Sequence, residues 1–265
     1  MKLLEGIPSI LYKYRDWSNI YHKKIITENQ IFLSSQNGFN DPFDATIPFR
    51  YDEKELTPEN VFLKLYETGK ELMPGLTEEE LIEECYRQQN SGIFENGTYW
   101  KDYYVKYVDS VNRDFGILSL TNKKNNLLMW SHYANCHKGF CIGFNSSKLF
   151  NLISGSLGKV FYDEKMPTVP LFDKLEIEGI TKLLNTKSLD WAYEEEYRII
   201  KSLAANSTFT FSDDSIVEEV ILGLNMSNEN KKEIIDILKT NFPNTKIYEA
   251  SKDLEKFKLN IIPIL

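Results

Sequence analysis

The chain has 265 residues, a hydrophobic fraction of 42% and a net charge of −8 at pH 7, which indicate a globular protein with one large domain. The negative charge argues against binding of nucleic acid through bulk electrostatics, but not against an enzyme that acts on a nucleic acid locally. Three cysteines without metal-type spacing fit a reducing cytoplasm. Glu5 and then Pro8 interrupt the N-terminal apolar residues too early for a signal peptide. No apolar run approaches the roughly 20 residues of a membrane span. We expect a cytoplasmic protein without membrane attachment, and the sequence does not indicate its oligomeric state.

The first half of the chain combines strand patterns with a long helical segment. Residues 10–15 and 31–33 predict two strands, and Ser18 is predicted to cap a helix between them. Helix starts then follow at Thr57 and at a capping box that begins at Thr77. We predict that residues 57–113 form a helical insertion within a single domain that covers residues 1–265.

Strand patterns return after this segment. They cover residues 115–121, 139–144, 159–162, 197–200, 217–222, 245–248 and 257–262. Ser227 is predicted to cap an amphipathic helix before the last two strands. The order lacks the regular βαβ alternation of a doubly wound fold, so the sequence predicts an α+β protein with a mixed, mainly antiparallel strand core. No glycine-rich phosphate loop is present, which makes a Rossmann dehydrogenase or a P-loop NTPase a poor fit.

Three short segments concentrate bulky aromatic and hydrogen-bonding side chains. They are residues 39–44 (FNDPFD), 129–134 (MWSHYA) and 191–198 (WAYEEEYR). Ligand sites are built from aromatic walls with a few converging polar groups, so we predict that the three segments line one cleft. The alternative for the first segment is a rigid turn in which Asn and Asp side chains bond to nearby backbone amides.

The second segment, predicted on a short helix, carries Ser131 and His132. His132 and His137 are five residues apart and do not share a helical face, so no metal site is expected. Adjacent residues on a helix diverge, which disfavours Ser131 and His132 as a nucleophile and its base. We interpret His132 as a hydrogen-bonding pocket residue, and the alternative is simple packing of residues 127–133.

The third segment carries two closely spaced glutamates. In a strand, Glu194, Glu196 and Arg198 project from the same face. Repulsion between the two acids can raise the pKa of one and make it a general base. The alternative is a solvated acidic strand edge on which Arg198 neutralises a glutamate.

The three segments, preceded by residues 11–15 (LYKYR) and with residues 137–140 (HKGF) after the second, resemble the bacterial family of unknown function DUF2971. The resemblance runs from about Ile10 to Arg198, which is most of the chain. The family name implies a shared site and does not imply a particular chemistry.

Shorter patterns resemble the ADP-ribosyltransferase superfamily. Residues 11–13 (LYK) stand where that superfamily has Leu-Tyr followed by an Arg or His that binds NAD. Residues 119–121 (SLT) stand where it has Ser-Thr-Ser, and Glu194-x-Glu196 stands where it has its catalytic glutamate. Lys13 departs from the pattern, although Arg15 lies nearby on the same strand face.

This second resemblance implies an NAD-consuming transferase or NAD glycohydrolase, serving as a toxin or phage-defence effector, with NAD as substrate and a protein or nucleic acid as acceptor. It implies that Glu196 is catalytic and that Glu194 assists. The side chains expected to bind the nucleotide are Lys13, Arg15, Asn40, Asp41, Asp44, Ser119, Thr121, Trp130, Ser131, His132, Tyr133, Tyr193 and Arg198. Two alternatives remain: a metal-dependent nuclease or hydrolase that uses the clustered carboxylates of Asp41, Asp44, Glu194 and Glu196, and a non-catalytic module that binds a nucleotide or a partner.

Overall fold

The computed structural model describes residues 6–46, 51–94, 97–168, 170–172 and 177–264. The strands are β1 (Ile10–Arg15), β2 (Gln30–Leu33), β3 (Phe115–Thr121), β4 (Phe140–Asn145), β5 (Ser156–Lys159), β6 (Phe161–Asp163), β7 (Thr186–Ser188), β8 (Glu196–Ser202), β9 (Ser207–Thr210), β10 (Val217–Leu222), β11 (Lys246–Lys252) and β12 (Leu259–Pro263). The α-helices are α1 (Ile20–Thr27), α2 (Pro58–Leu72), α3 (Glu78–Asn90), α4 (Gly97–Asp114), α5 (Leu127–Tyr133), α6 (Ser146–Ile153), α7 (Ile177–Leu184) and α8 (Asn228–Asn241).

One large sheet organises the described part of the chain. Its strand order is β12-β11-β10-β4-β1-β3-β8-β5, and its neighbouring strands are antiparallel except for the parallel pair β10 and β11. Two small two-stranded sheets, β2–β9 and β6–β7, lie beside it. The α+β class with a mixed, mainly antiparallel core is therefore confirmed.

Helices cover both faces of the large sheet. On one face α1, α6 and α8 bury residues such as Ile26, Leu149 and Ile234 against the strands. On the other face α5 places Met129 and Trp130 against the middle strands. Alternation along the strands supplies both apolar faces, because successive side chains of a strand point to opposite sides.

The sheet opens between β1 and β3. Tyr12 lies opposite Thr121, and within the described residues this is the one register pair that joins the two strands. By contrast, β1 pairs with β4 along its whole length, from Ile10 to Arg15. The strands β1 and β3 therefore separate beyond Tyr12, and a cleft lies in the gap.

Most of the described part of residues 57–113 is helical, as the capping patterns predict. Thr57 caps α2, and a capping box formed by Thr77 and Glu80 begins α3. These two helices pack on each other around Leu65 and Leu81, in a small core separate from that of the sheet. That this segment is an insertion within a single domain stays a prediction.

Two local predictions differ from the structure. Asn19 rather than Ser18 caps α1, because its side chain accepts a hydrogen bond from the Tyr21 amide. The single strand predicted at residues 159–162 is divided, because Lys159 pairs with β8 whereas Phe161 pairs with β7 in another sheet. In the described part of the chain, no helix combines the length and the apolar character that crossing a membrane requires.

Candidate functional site

A cleft of about 1030 Å³ occupies the gap between β1 and β3. Consecutive residues of both strands border it, from Tyr12 to Asp16 on one side and from Ile117 to Leu120 on the other. Consecutive strand residues can line one cavity only along a strand edge, because their side chains alternate between faces. The separation of β1 and β3 therefore creates the site, and the loop that follows β2 and the helix α5 close it.

A buried group of charges lies at one end of the cleft, around Lys187. The Lys187 Nζ atom lies 2.7 Å from Glu194 Oε2, 3.3 Å from Glu196 Oε2 and 3.3 Å from Asp44 Oδ2. Arg198 donates to Asp44 Oδ2 at 2.7 Å and to Glu196 Oε1 at 2.8 Å. We name these five residues the carboxylate cluster. Three acids face two cations, so the cluster carries one excess negative charge when all five side chains are ionised.

Glu196 is held in its ionised form. Burial opposes ionisation, but the positive charges of Arg198 and Lys187 outweigh burial and lower the pKa of Glu196 to about 2. The Lys187 ammonium is held charged as well, because Glu196, Asp44 and Glu194 raise its pKa against the opposing effect of burial. Both partners are nearly inaccessible to solvent, so water screens their attraction little.

Glu194 has a different environment from Glu196. Burial raises the pKa of Glu194, and the nearby charge of Glu196 adds to this effect, whereas Lys187 opposes it. The Tyr133 hydroxyl donates to Glu194 Oε1 at 2.5 Å, and Asn40 Nδ2 lies 3.5 Å from the same hydroxyl. The first, second and third aromatic segments therefore meet at this point, as predicted.

Three basic side chains border the cleft from β1 and α1. Lys13, Arg15 and His22 all line it, and within the described residues none of the three forms an ion pair with a carboxylate. Burial lowers the pKa of Arg15 to about 10, so its guanidinium stays charged at neutral pH. Burial, with the charges of Arg15 and Lys13, lowers the pKa of His22 to about 4. Burying the unpaired Arg15 cation is costly, and an anionic ligand would relieve that cost.

The predicted site residues divide into two groups. Those that line the cleft are Lys13, Arg15, Asn40, Asp44, Ser119, His132, Tyr133, Glu194 and Glu196. Those that do not line it are Asp41, Thr121, Trp130, Ser131, Tyr193 and Arg198.

Residues of the second group either contact the side chains that line the cleft or lie apart from the cleft. Arg198 is fully buried and orients Asp44 and Glu196, and the Thr121 hydroxyl donates to the Glu194 carbonyl at 2.5 Å. Trp130 is fully buried against Tyr14, so the prediction that it contacts a ligand is wrong.

Three more residues of the second group have local partners. Asp41 Oδ1 accepts a hydrogen bond from the Phe43 amide, which is the turn chemistry weighed as the alternative. The Tyr193 hydroxyl lies 3.0 Å from His132 Nδ1, at the rim of the cleft. Ser131 Oγ donates to the Leu127 carbonyl and lies 3.2 Å from His137 Nε2, on the side away from the cleft.

The strand predicted from about Glu194 to Ile200, with Glu194, Glu196 and Arg198 on one face, also needs correction. Glu194 ends a 3-10 helix, Leu189–Glu194, and β8 begins at Glu196. Glu195 between them has a φ of 43°, in the left-handed region, and this turn ends the extended backbone. Glu194 and Glu196 still meet, through Lys187 rather than through a shared strand face. The solvated strand edge is wrong too, because β8 lies between β3 and β5 and both glutamates are buried.

Lys187 and His22 are functional candidates that the sequence did not reveal. Lys187 lies on the short strand β7, whose position beside β6 no local pattern predicts. The cation also stands 4.8 Å from the Trp191 ring centre, so it joins the aromatic segment to the carboxylates. Within the described residues, no group of three or more His, Cys, Asp and Glu side chains is arranged to hold a metal ion.

The fold and site define an α+β protein with a split sheet and a charged cleft. A family model described as Protein of unknown function (DUF2971) matches residues 129–199. The match confirms the resemblance to this family over the second and third aromatic segments, and it includes Tyr133, Lys187, Glu194, Glu196 and Arg198. No curated protein and no solved structure matched the chain in the other two comparisons.

Proposed function

We propose that the chain is an NAD-consuming enzyme of the ADP-ribosyltransferase type, acting as a transferase or as an NAD glycohydrolase. One observation carries the proposal. Lys13, Ser119 and Glu196, the positions on which that resemblance rests, lie on β1, β3 and β8, which are consecutive strands of the sheet. All three residues border the same cleft although they span most of the chain.

The charges of the cleft suit such a ligand. NAD carries a negative diphosphate and a positive pyridinium ring, and the cleft offers Arg15 at β1 and an excess of carboxylates at the start of β8. Arg15 is the better phosphate partner of the two predicted cations, because its guanidinium presents several donors and stays charged. The volume of about 1030 Å³ is at the upper end of typical small-molecule sites, which suits a ligand as large as a dinucleotide.

In the proposed reaction the bond between nicotinamide and ribose breaks, and nicotinamide leaves with the electron pair. Positive charge then develops on the ribose, and the ionised Glu196 stabilises it from a fixed position. Arg198 and Lys187 hold Glu196 in place, so little reorganisation is required when the charge develops. Glu194, whose pKa is raised, accepts a proton from the attacking water or acceptor hydroxyl.

The test is release of free nicotinamide from NAD by the purified protein, with and without EDTA. We expect release that EDTA does not prevent. Binding of NAD without release would favour a non-catalytic module, and hydrolysis of a nucleic acid that EDTA abolishes would favour the metal-dependent alternative. The acceptor, the role in defence or toxicity and the cytoplasmic location stay predictions.

A further inference from the structure

Lys13 has an unusual environment for a lysine. It lies on β1 at the opening of the sheet, and its Nζ atom donates to the Ser119 carbonyl oxygen at 2.7 Å across the gap. Within the described residues no carboxylate lies within ion-pair distance of it. Its side chain borders the cleft, so a ligand in the cleft can reach the amine.

Burial and a neighbouring positive charge disfavour the protonated form of this amine. Burial lowers the pKa of Lys13 well below its ordinary value, and the positive charge of Arg15, two residues along the same strand face, lowers it further. Glu196 acts in the opposite sense and is the smallest of the three effects. His22 also borders the cleft, and burial together with the charges of Arg15 and Lys13 lowers its pKa to about 4, so it is neutral at neutral pH.

We propose that the Lys13 amine forms an imine with the open-chain aldehyde of a phosphorylated sugar bound in the cleft. The amine nitrogen attacks the carbonyl carbon, the carbinolamine loses one water, and a carbon–nitrogen double bond replaces the carbon–oxygen double bond. No oxidant or reductant is needed. Lysines that form such adducts in enzymes are activated in the same way, by burial next to another cation.

The sugar class follows from the neighbours of Lys13. Arg15 lines the same cleft without a carboxylate partner in the described residues, so it offers a site for the phosphate while Lys13 meets the aldehyde. ADP-ribose combines both groups, since its terminal ribose opens to an aldehyde. It is also the product of NAD hydrolysis, and in this respect alone the inference rests on the proposed function.

The experiment uses the full chain, ADP-ribose or ribose 5-phosphate as probe, and borohydride to reduce any imine to a stable amine. Peptide mass mapping then locates the adduct. We expect Lys13 to be labelled about tenfold faster or more than exposed lysines such as Lys256, because a larger fraction of its amine is unprotonated at neutral pH. Ribose without phosphate should label Lys13 more slowly, and Arg15→Gln should remove this difference between the two sugars.

Mapping on the wild-type protein requires no variant to fold, and Lys13→Arg against the matched surface change Lys256→Arg provides a second readout. Equal labelling of Lys13 and the exposed lysines, or an unchanged total in Lys13→Arg, would overturn the inference. Nicotinamide release is measured separately. Labelling of Lys13 in a protein that releases no nicotinamide would therefore refute the proposed function while supporting the imine.

Discussion

Tyr12 lies opposite Thr121 at the point where β1 and β3 part, and one residue further along β1 the Lys13 Nζ atom reaches the Ser119 carbonyl oxygen across the opening. The cleft thus begins at a fixed position in the sheet. The two strands that border the cleft are each held in place by backbone pairing with a further strand on the side away from the cleft. Strand β1 pairs with β4, and β3 pairs with β8. Sites built on such elements keep their geometry better than sites built on loops.

Glu196→Gln is expected to reduce nicotinamide release by roughly a hundredfold or more, because it removes one preorganised charge. The fold should survive, since the cluster changes from three acids and two cations to two of each. Turnover and melting temperature are to be measured together. Glu195→Gln is the matched control, because Glu195 is adjacent but pairs with Lys123 at the surface. Equal activity in wild type and Glu196→Gln would leave Glu196 as a structural partner of Arg198.

Arg198→Met should be strongly destabilising, by about 3–5 kcal/mol, because it leaves Asp44 and Glu196 buried with less compensation. Urea unfolding followed by fluorescence gives the change in the free energy of unfolding. Arg113→Met is the control, since Arg113 pairs with Asp114 at the surface and its loss should have little effect. Similar losses in the two variants would show that the buried pairing contributes nothing particular to stability.

Stability in acid should depend on Glu196. Its pKa in the folded chain is about 2, below the ordinary 4.5, so its contribution is present above pH 4.5 and is lost as the pH falls toward 2. The free energy of unfolding of the wild type should therefore decrease across this range. We expect the difference between wild type and Glu196→Gln to shrink over the same range. A difference that stays constant with pH would contradict the lowered pKa.

Binding of ADP-ribose should take up a proton through His22. The free protein has a His22 pKa of about 4, and a bound diphosphate would raise it, so affinity should increase as the pH falls from about 6.5 toward 4. Calorimetry in buffers with different ionisation enthalpies measures this uptake. His22→Gln should abolish it. His137→Gln should not, because His137 lies outside this cleft. Equal proton uptake in both variants would exclude His22.

Much of the architecture followed from local chemistry. Thr57 and Thr77 marked helix starts because their side chains accept hydrogen bonds from backbone amides of the first turn. The aromatic segments meet through polar contacts between them, such as the hydrogen bond from the Tyr133 hydroxyl to Glu194.

Other features depended on distant parts of the chain. Lys187 has no distinguishing neighbours in sequence, and its role exists only because Asp44, Glu194 and Glu196 converge on it. The strand expected through Glu194 failed because a left-handed Glu195 precedes β8, a conformation that glutamate seldom adopts. Trp130 was assigned to the cleft because an aromatic residue serves a pocket wall and a core equally well.

The central position of β1 has a consequence for how the molecule is made. Of the strands described, β1 is synthesised first, and it lies between β4 and β3, whose residues pair with it across more than a hundred positions of sequence. Pairings of such wide sequence separation form late, because the entropy of closing a long loop must be overcome first. The residues that line the cleft extend in the sequence from Tyr12 to Thr208. The lining of the cleft therefore cannot be complete until synthesis of the nascent chain has passed Thr208.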